Sequence, residues 1–508
     1  MQQWRPTLSP DYAAAMRTYA LDLTATLLLF FAAALMTGRV WRFPFDDEIY
    51  TLATIADYSA FKLAFAYPGS ADVHPPLSYL LFKGLHQLGM SEAGMRLVSL
   101  SMTAFALVLF QLLALGMIAQ RNGVAPATRL VNVLLFGLCA LALSQGDALR
   151  WYPLFALMIA LFVTLYFAGG NDAARLWSGA ALGVAGSTNV LAGTVAVAFA
   201  IYRYGLARRW RTAFDLPFWG IAALFGSLGI YTVASLLLAR PGEIGTQLGD
   251  SILRSALTDG LGFFGGAVLG VGQAWIVIPA AAIAGMALLA AIDRERPDDP
   301  AHLLLLMLSM AALTILPGFD KPRSFLYLAP AVALLLALFI DEQLREGRLA
   351  RALLSAALLL AADVAAIANI EHNARPFKRA AVIPYRSILD FIGANRSGRV
   401  LVLSTDPVVP WVLSRRHDGT LCTGEFLHAG VCLEAGQHYD SIFIIYGHSD
   451  KSTNAVLMGR FSTLVGEATA GRRKVATLFA GRDDDAPLKS RLTGVALDKT
   501  LLTVDLYR

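Results

Sequence analysis

Apolar runs of a length that spans a bilayer recur along most of this chain, and that recurrence constrains its fold more than any other feature. A transmembrane helix needs about 20 predominantly apolar residues. Runs near that length lie at about 18–37, 94–118, 128–144, 148–168, 176–189, 190–206, 215–238, 268–291, 302–317, 323–341 and 350–368. Over 508 residues, 56% are hydrophobic and only 16% are charged, which excludes an ordinary soluble two-domain protein. The expected fold is a polytopic α-helical membrane protein with about eleven spans.

The region 176–206 reads either as one long helix or as two short ones turning at Ser187-Thr188-Asn189. Charge parity separates the two. With two helices, Arg203, Arg208, Arg209 and Arg211 share a side with Arg5, Arg17, Arg121, Arg129, Arg175, Arg294, Arg296, Arg345, Arg348 and Arg351. The positive-inside rule then holds in every short cytoplasmic loop, with the N-terminus inside and the C-terminus outside. The first apolar segment lacks a small-residue cleavage site and reads as a retained helix. Loop arginines account for most of the net charge of +5, so the basic balance does not point to nucleic acid. No P-loop, dinucleotide fingerprint or internal repeat is visible.

Two regions are not spans. Residues 38–93 form a long external loop, and loops of that length are functional or disordered. The loop carries Phe45-Asp46-Asp47-Glu48 and, further on, His74-Pro75-Pro76-Leu77. A charge at the centre of a membrane helix costs roughly 2.5–3.5 kcal/mol on insertion scales, so three adjacent acids must sit at the interface or in a polar cavity. There they can act as a base or bind a cation. The stretch Ser78 to Leu88, interrupted by Lys83 and His86, suits an interfacial helix better than a span.

Residues 370–508 turn polar. β-rich runs at Val400–Ser404, Ser441–Tyr446, Lys474–Ala480 and Leu501–Leu506 alternate with helical stretches at Pro384–Asn395 and Asn454–Glu467. That pattern predicts a small extracytoplasmic α/β domain. Of three cysteines, Cys139 lies within a span as inert packing. Cys422 and Cys432 fall in the external domain, where an oxidising compartment favours a disulfide.

The order of these features is familiar. After one span and an Asp-Glu motif come "DVHPPLSYLLFKGLHQLG" and "SEAGMRLVS", then "ALRWYPLFALMIALF" and "DKPRSFLYLAPAVALLLALF". The chain resembles bacterial membrane glycosyltransferases of the GT-C class, the group that includes protein O-mannosyltransferases and lipid A aminoarabinose transferases. The likeness covers roughly residues 18–370 and is closest over 43–99. It implies a transmembrane domain, 1–369, with the active site in loop 38–93, and a variable external domain, 370–508. It also implies transfer of a sugar from a polyprenyl-phosphate donor to a hydroxyl of a lipid, glycan or protein, with inversion. No nucleotide is used. The setting is the outer face of the inner membrane, with loop and C-terminal domain in the periplasm.

On that resemblance the Asp-Glu pair maps onto Asp47-Glu48. Asp47 becomes the general base, Glu48 orients it or helps bind a cation, and Asp46 is an extra acid that leaves the register open. A departing lipid phosphate needs positive charge. Arg323, Lys321, Arg150 and Arg96 stand at external loop ends and can supply it. The same residues, like Trp151 and Tyr152, also suit interfacial anchoring. His74 and Tyr152 are candidates for substrate contact. Should a divalent cation take part, Asp47, Glu48 and His74 offer oxygen and imidazole ligands fitting Mg, Mn or Zn. Asp363 is a further intramembrane acid, read as paired or facing water. The alternative from another class is a transporter or flippase of lipid-linked sugars, for which the break near Thr188 is the only candidate interrupted helix.

Overall fold

The computed structural model describes residues 12–37, 39–41, 46–65, 75–119, 124–168, 172–206, 299–315, 322–370, 385–405, 408–414, 421–425, 438–447, 455–480 and 502–508, with scattered positions between 219 and 292. Most of the expected spans at 215–238 and 268–291 lie outside these residues. The chain forms two compact units: residues 1–40 with 54–371, and residues 41–53 with 372–508.

The first unit is helical. Among the described residues, four helical stretches are long and apolar enough to cross a membrane: Arg17–Met36, Glu92–Ala119, Pro126–Gln145 and Phe325–Arg345. Three shorter apolar helices accompany them at Trp151–Phe167, Pro300–Ala311 and Leu349–Ala361. The first span belongs to helix α1 (Tyr12–Met36). Helix α2 (Asp46–Asp57) comes next and straddles the two units, and α3 (Ala60–Phe65) and α4 (Leu77–Gln87) complete the loop before the second span. At ~1.5 Å per residue, an 11-residue helix such as α4 is too short to cross a bilayer. It buries Ser78, Tyr79 and Phe82 on one side. Its Lys83 reaches back to donate to the Ile55 carbonyl at 2.5 Å.

The second span is α5 (Glu92–Ala119), and α1 packs on it through Tyr19, Leu23, Leu112 and Leu115. The next apolar segment breaks in two, α6 (Pro126–Gly137) and α7 (Ala140–Gln145). A break inside lipid frees backbone groups that must be satisfied by protein. Asp363, from the helix Leu349–Ile370, accepts the Ala140 N–H at 3.4 Å and meets one of them. Cys139 sits in the break as a free, buried thiol. Helix α8 (Trp151–Ala168) packs against both α5 and α9 (Asp172–Gly186). The chain turns at Ser187–Asn189, where Asn189 Oδ1 accepts the Leu191 N–H at 2.9 Å. It continues as α10 (Ala192–Ala200) and a π-helical stretch, Ile201–Leu206.

Arg129 grips Asp22 with two hydrogen bonds at 2.7 and 3.0 Å, joining α6 to α1. Asp341 accepts from Thr128 at 3.0 Å and from Arg345 at 2.6 Å, joining the helix Ala329–Arg345 to α6. The apolar core between these elements is built from Leu135, Val332, Leu336, Phe339 and Leu359.

The second unit is built on a five-stranded sheet in the order β2-β1-β3-β5-β4. The strands are β1 (Val400–Ser404), β2 (Leu421–Glu425), β3 (Ser441–Gly447), β4 (Lys474–Ala480) and β5 (Leu502–Tyr507). β1 pairs in parallel with β2 and β3, while β5 runs antiparallel to β3 and β4. Alternate residues feed opposite faces. Val400, Val402, Phe443 and Ile445 pack under the helices Tyr385–Asn395 and Val408–Ser414. Leu401, Leu403, Ile442 and Ile444 pack under Phe461 and Val465 of the helix Ala455–Thr469. Both faces are covered, which explains the near-continuous apolar runs of β1 and β3.

Candidate active site

The acid motif opens a helix. Asp46, Asp47 and Glu48 are the first three residues of α2. Acids in a first turn face the positive end of the helix dipole, worth about 0.3–1 kcal/mol each when exposed. Glu48 is not exposed: its relative accessibility is 0%, and it makes contacts of its own. Ile49, Thr51 and Leu52 are buried beside it. A buried carboxylate is costly unless bound, so such a group is held in place rather than merely solvated. The side chains of Asp46 and Asp47 fall outside the described set. The stretch carrying all three, Trp41–Ala53, belongs to the same compact unit as the C-terminal sheet.

His74 and Lys321 lie outside the described residues. Immediately after His74, Pro75 and Pro76 are buried, and the Leu77 N–H donates to the Ser187 carbonyl at 3.3 Å. The start of α4 is thereby tied to the turn between α9 and α10. Arg323 lies in a 3-10 stretch, Pro322–Leu328, and its side chain is outside the described set. Cys422 is in β2 and Cys432 lies outside the described residues.

Arg96 comes together with a residue that sequence reading missed. Arg96 lies in the second turn of α5 with 1% exposure, and its Nη1 is 3.8 Å from Asp147 Oδ2, a carboxylate with 0% exposure. Asp147 sits in the short connection between α7 and α8, three residues before Arg150. The connection is shaped by close approach. The Gly146 N–H donates to Ala142 at 2.8 Å, and Thr103 Oγ1 of α5 donates to the Gly146 carbonyl at 3.2 Å. A Cβ at Gly146 would run into the Ala142 carbonyl oxygen and stand 2.9 Å from Thr103 Cγ2. Glycine is therefore what lets this turn lie against α5 and bring Asp147 to Arg96.

Arg150 is 5% exposed and precedes a buried aromatic cluster. Trp151 meets Tyr152 at 4.5 Å and Phe155 at 5.5 Å, and Phe155 meets Tyr327 edge-on at 5.0 Å. Arg96, Asp147 and Arg150 are each almost wholly buried, and the charges of the Arg96–Asp147 pair act strongly in such a setting. The signal for Asp147 was present in the sequence as the polar interruption Gln145-Gly146-Asp147 between two apolar runs. Among the described residues, no three His, Cys, Asp or Glu side chains group as metal ligands.

The helical unit, with four stretches among its described residues long and apolar enough to cross a membrane, belongs to a chain that shares its fold with a solved membrane-protein structure. The crystal structure of ArnT from Cupriavidus metallidurans bound to undecaprenyl phosphate matches 96% of this chain and 98% of its own, at 15% identity and a TM-score of 0.50. The apo crystal structure of ArnT from the same organism matches 91% of this chain and 96% of its own, at 15% identity and 0.49. No family model and no curated protein matches the chain.

Proposed function

We propose that this protein transfers a sugar from a polyprenyl-phosphate donor to an acceptor hydroxyl at a membrane surface. Glu48 carries this reading: a carboxylate with no exposed surface, in a first turn of three acids, is costly to bury and is fixed by contacts of its own, as a reacting or positioning group must be. A fold shared with a protein crystallised with undecaprenyl phosphate supports the class of donor.

In this mechanism Asp47 takes the proton from the acceptor hydroxyl, worth about 10²–10⁴ in rate. The acceptor oxygen attacks the anomeric carbon as the bond to the phosphate oxygen breaks. The electron pair leaves with the lipid phosphate, and the anomeric centre inverts. Arg96 and Arg150, with Arg323 and Lys321, neutralise the charge that grows on the departing phosphate. Glu48 positions Asp47, and His74 and Tyr152 contact substrate. The orientation is N-terminus inside, with the acid loop and the C-terminal domain in the periplasm, in keeping with the arginine distribution. The acceptor is a lipid, a glycan or a protein.

The test is turnover by the purified protein in lipid, supplied with a polyprenyl-phosphate sugar and a hydroxyl acceptor. Sugar must move to the acceptor with inverted anomeric configuration and release of polyprenyl phosphate. Movement of intact donor across the bilayer without release would instead identify a flippase.

A further inference from the structure

Among the described residues of the α/β unit, cations gather at one end of the sheet. Arg396, Arg399, Arg472, Arg473, Lys474 and Arg508 come from three separate stretches of sequence, yet the sheet gathers them at one end. The Asp440 N–H donates to the Arg399 carbonyl at 2.8 Å, setting the turn before β1 beside the start of β3. Ile442 of β3 pairs with Tyr507 of β5, which brings Arg508 alongside. Arg473 and Arg508 exchange backbone hydrogen bonds at 3.0 and 3.1 Å. Arg508 Nη2 donates to the Asn395 carbonyl at 2.9 Å, next to Arg396. All six are exposed except Arg472, which is half-buried.

The carboxylates recorded at this end among the described residues offset only part of this charge. Asp505 is bound by Lys474 at 3.2 Å, and Asp440 accepts the Arg399 N–H at 2.7 Å while lying against Gly398. Among the described residues of this end, arginines outnumber carboxylates. The opposite ends of the strands finish on Ser404, Glu425, Gly447, Ala480 and Leu502.

We propose that this basic end of the α/β unit docks on the anionic headgroups of the surrounding membrane. Charge complementarity selects the partner, and the layout selects a surface over a single ligand. The cations lie at the ends of β1, β5 and β4, which with β3 between them span about 14 Å at ~4.8 Å per strand, and all but Arg472 are exposed. A field of headgroup phosphates matches such an array, and Arg binds phosphate oxygens in a fork. The unit is also tethered to a helix that ends at Ile370, so the lipid surface is always at high effective concentration. Weak contacts then suffice.

The test uses the full chain in nanodiscs of phosphatidylcholine alone or with phosphatidylglycerol, read by hydrogen exchange. Amides at 396–399 and 472–474 are expected to exchange more slowly in the anionic discs. Raising salt to about 1 M, where the screening length is ~3 Å, must abolish the difference. So must the combined variant Arg396→Gln, Arg399→Gln, Arg473→Gln and Arg508→Gln. Unchanged exchange in β1 and β3 shows that the variant is folded. Equal exchange in the two lipids, or slowing that survives in the variant, overturns the proposal. Slowing produced in phosphatidylcholine discs by inorganic phosphate alone would reassign the site to a soluble anion and overturn it as well.

Discussion

Removing the carboxylate of Asp147 should destabilise the helical unit by an amount the structure allows to be worked out. The pair is buried on both sides, with 3.8 Å between Arg96 Nη1 and Asp147 Oδ2. At an effective dielectric constant of about 20, two unit charges at that distance attract by about 4 kcal/mol. Asp147→Leu leaves the guanidinium buried without that partner, a change that typically costs about 3–5 kcal/mol. Arg96→Met leaves the carboxylate in the same position and should cost a similar amount. The double variant removes both charges at once and should recover most of the loss, since replacing a buried pair by apolar groups is often neutral. Both residues make further contacts, so the single losses contain more than the pair. The double-mutant cycle isolates the coupling, expected at about 2–4 kcal/mol. The assay is denaturant or thermal unfolding of purified variants in one detergent, followed by tryptophan fluorescence. Losses that simply add, or an Asp147→Leu variant within about 0.5 kcal/mol of the parent, would refute the pairing. If Arg96 serves the donor phosphate as proposed, the folded double variant should still turn over slowly.

Three other outcomes are expected. Gly398 has φ of +55°, and a Cβ there would stand 2.6 Å from Asp440 Cγ. Gly398→Ala should therefore cost about 2–3 kcal/mol, from left-handed backbone and a lost hydrogen bond to the Arg399 N–H, read as a lower unfolding midpoint of the α/β unit. Cys422 and Cys432 should be joined in protein purified from cells, with the short loop contributing on the order of 2–3 kcal/mol in the chain-entropy model; mass spectrometry showing both thiols free before reduction would reject the bridge. Single cysteines introduced at Ser70 and Ser452 should react with an impermeant thiol reagent from the periplasmic side, and labelling of either from the cytoplasm alone would break the topology.

Much of the architecture was legible because membranes punish ambiguity. The runs around 94–118 and 350–368 stand as the helices Glu92–Ala119 and Leu349–Ile370, since lipid leaves the backbone few other choices. The turn at Ser187–Asn189 is seen as well, with Asn189 supplying the side-chain acceptor. In the α/β unit, the four β-rich runs coincide with β1, β3, β4 and β5 to within about a residue. β2 escaped because Leu421-Cys422-Thr423-Gly424-Glu425 is short and contains a glycine, and pairing with β1 overrides its weak propensity. The helix Val408–Ser414 escaped because it carries Pro410 in its first turn, where proline is tolerated. The break at Leu138–Cys139 was invisible, since the residues on either side are as apolar as a continuous span; the acid that satisfies it, Asp363, is more than 200 residues away. Asp147 went unnoticed for a related reason. Its partner Arg96 is distant in sequence, and only the close approach allowed by Gly146 joins them. The grouping of Trp41–Ala53 with residues 372–508 likewise reflects long-range packing that no local pattern encodes.

The central claim is that the first turn of the helix Asp46–Asp57 performs the chemistry, with Asp47 as base. Its most direct measurement is turnover of purified Asp46→Asn, Asp47→Asn and Glu48→Gln variants in lipid, at saturating polyprenyl-phosphate sugar. The amide of Asp47→Asn keeps the shape of the side chain but cannot take the acceptor's proton. Its rate should fall by roughly 10²–10⁴ while donor binding persists, and Asp46→Asn should be milder. Near-normal turnover by Asp47→Asn, with either neighbour inactive, would move the base to that neighbour. Near-normal turnover by all three would contradict the account.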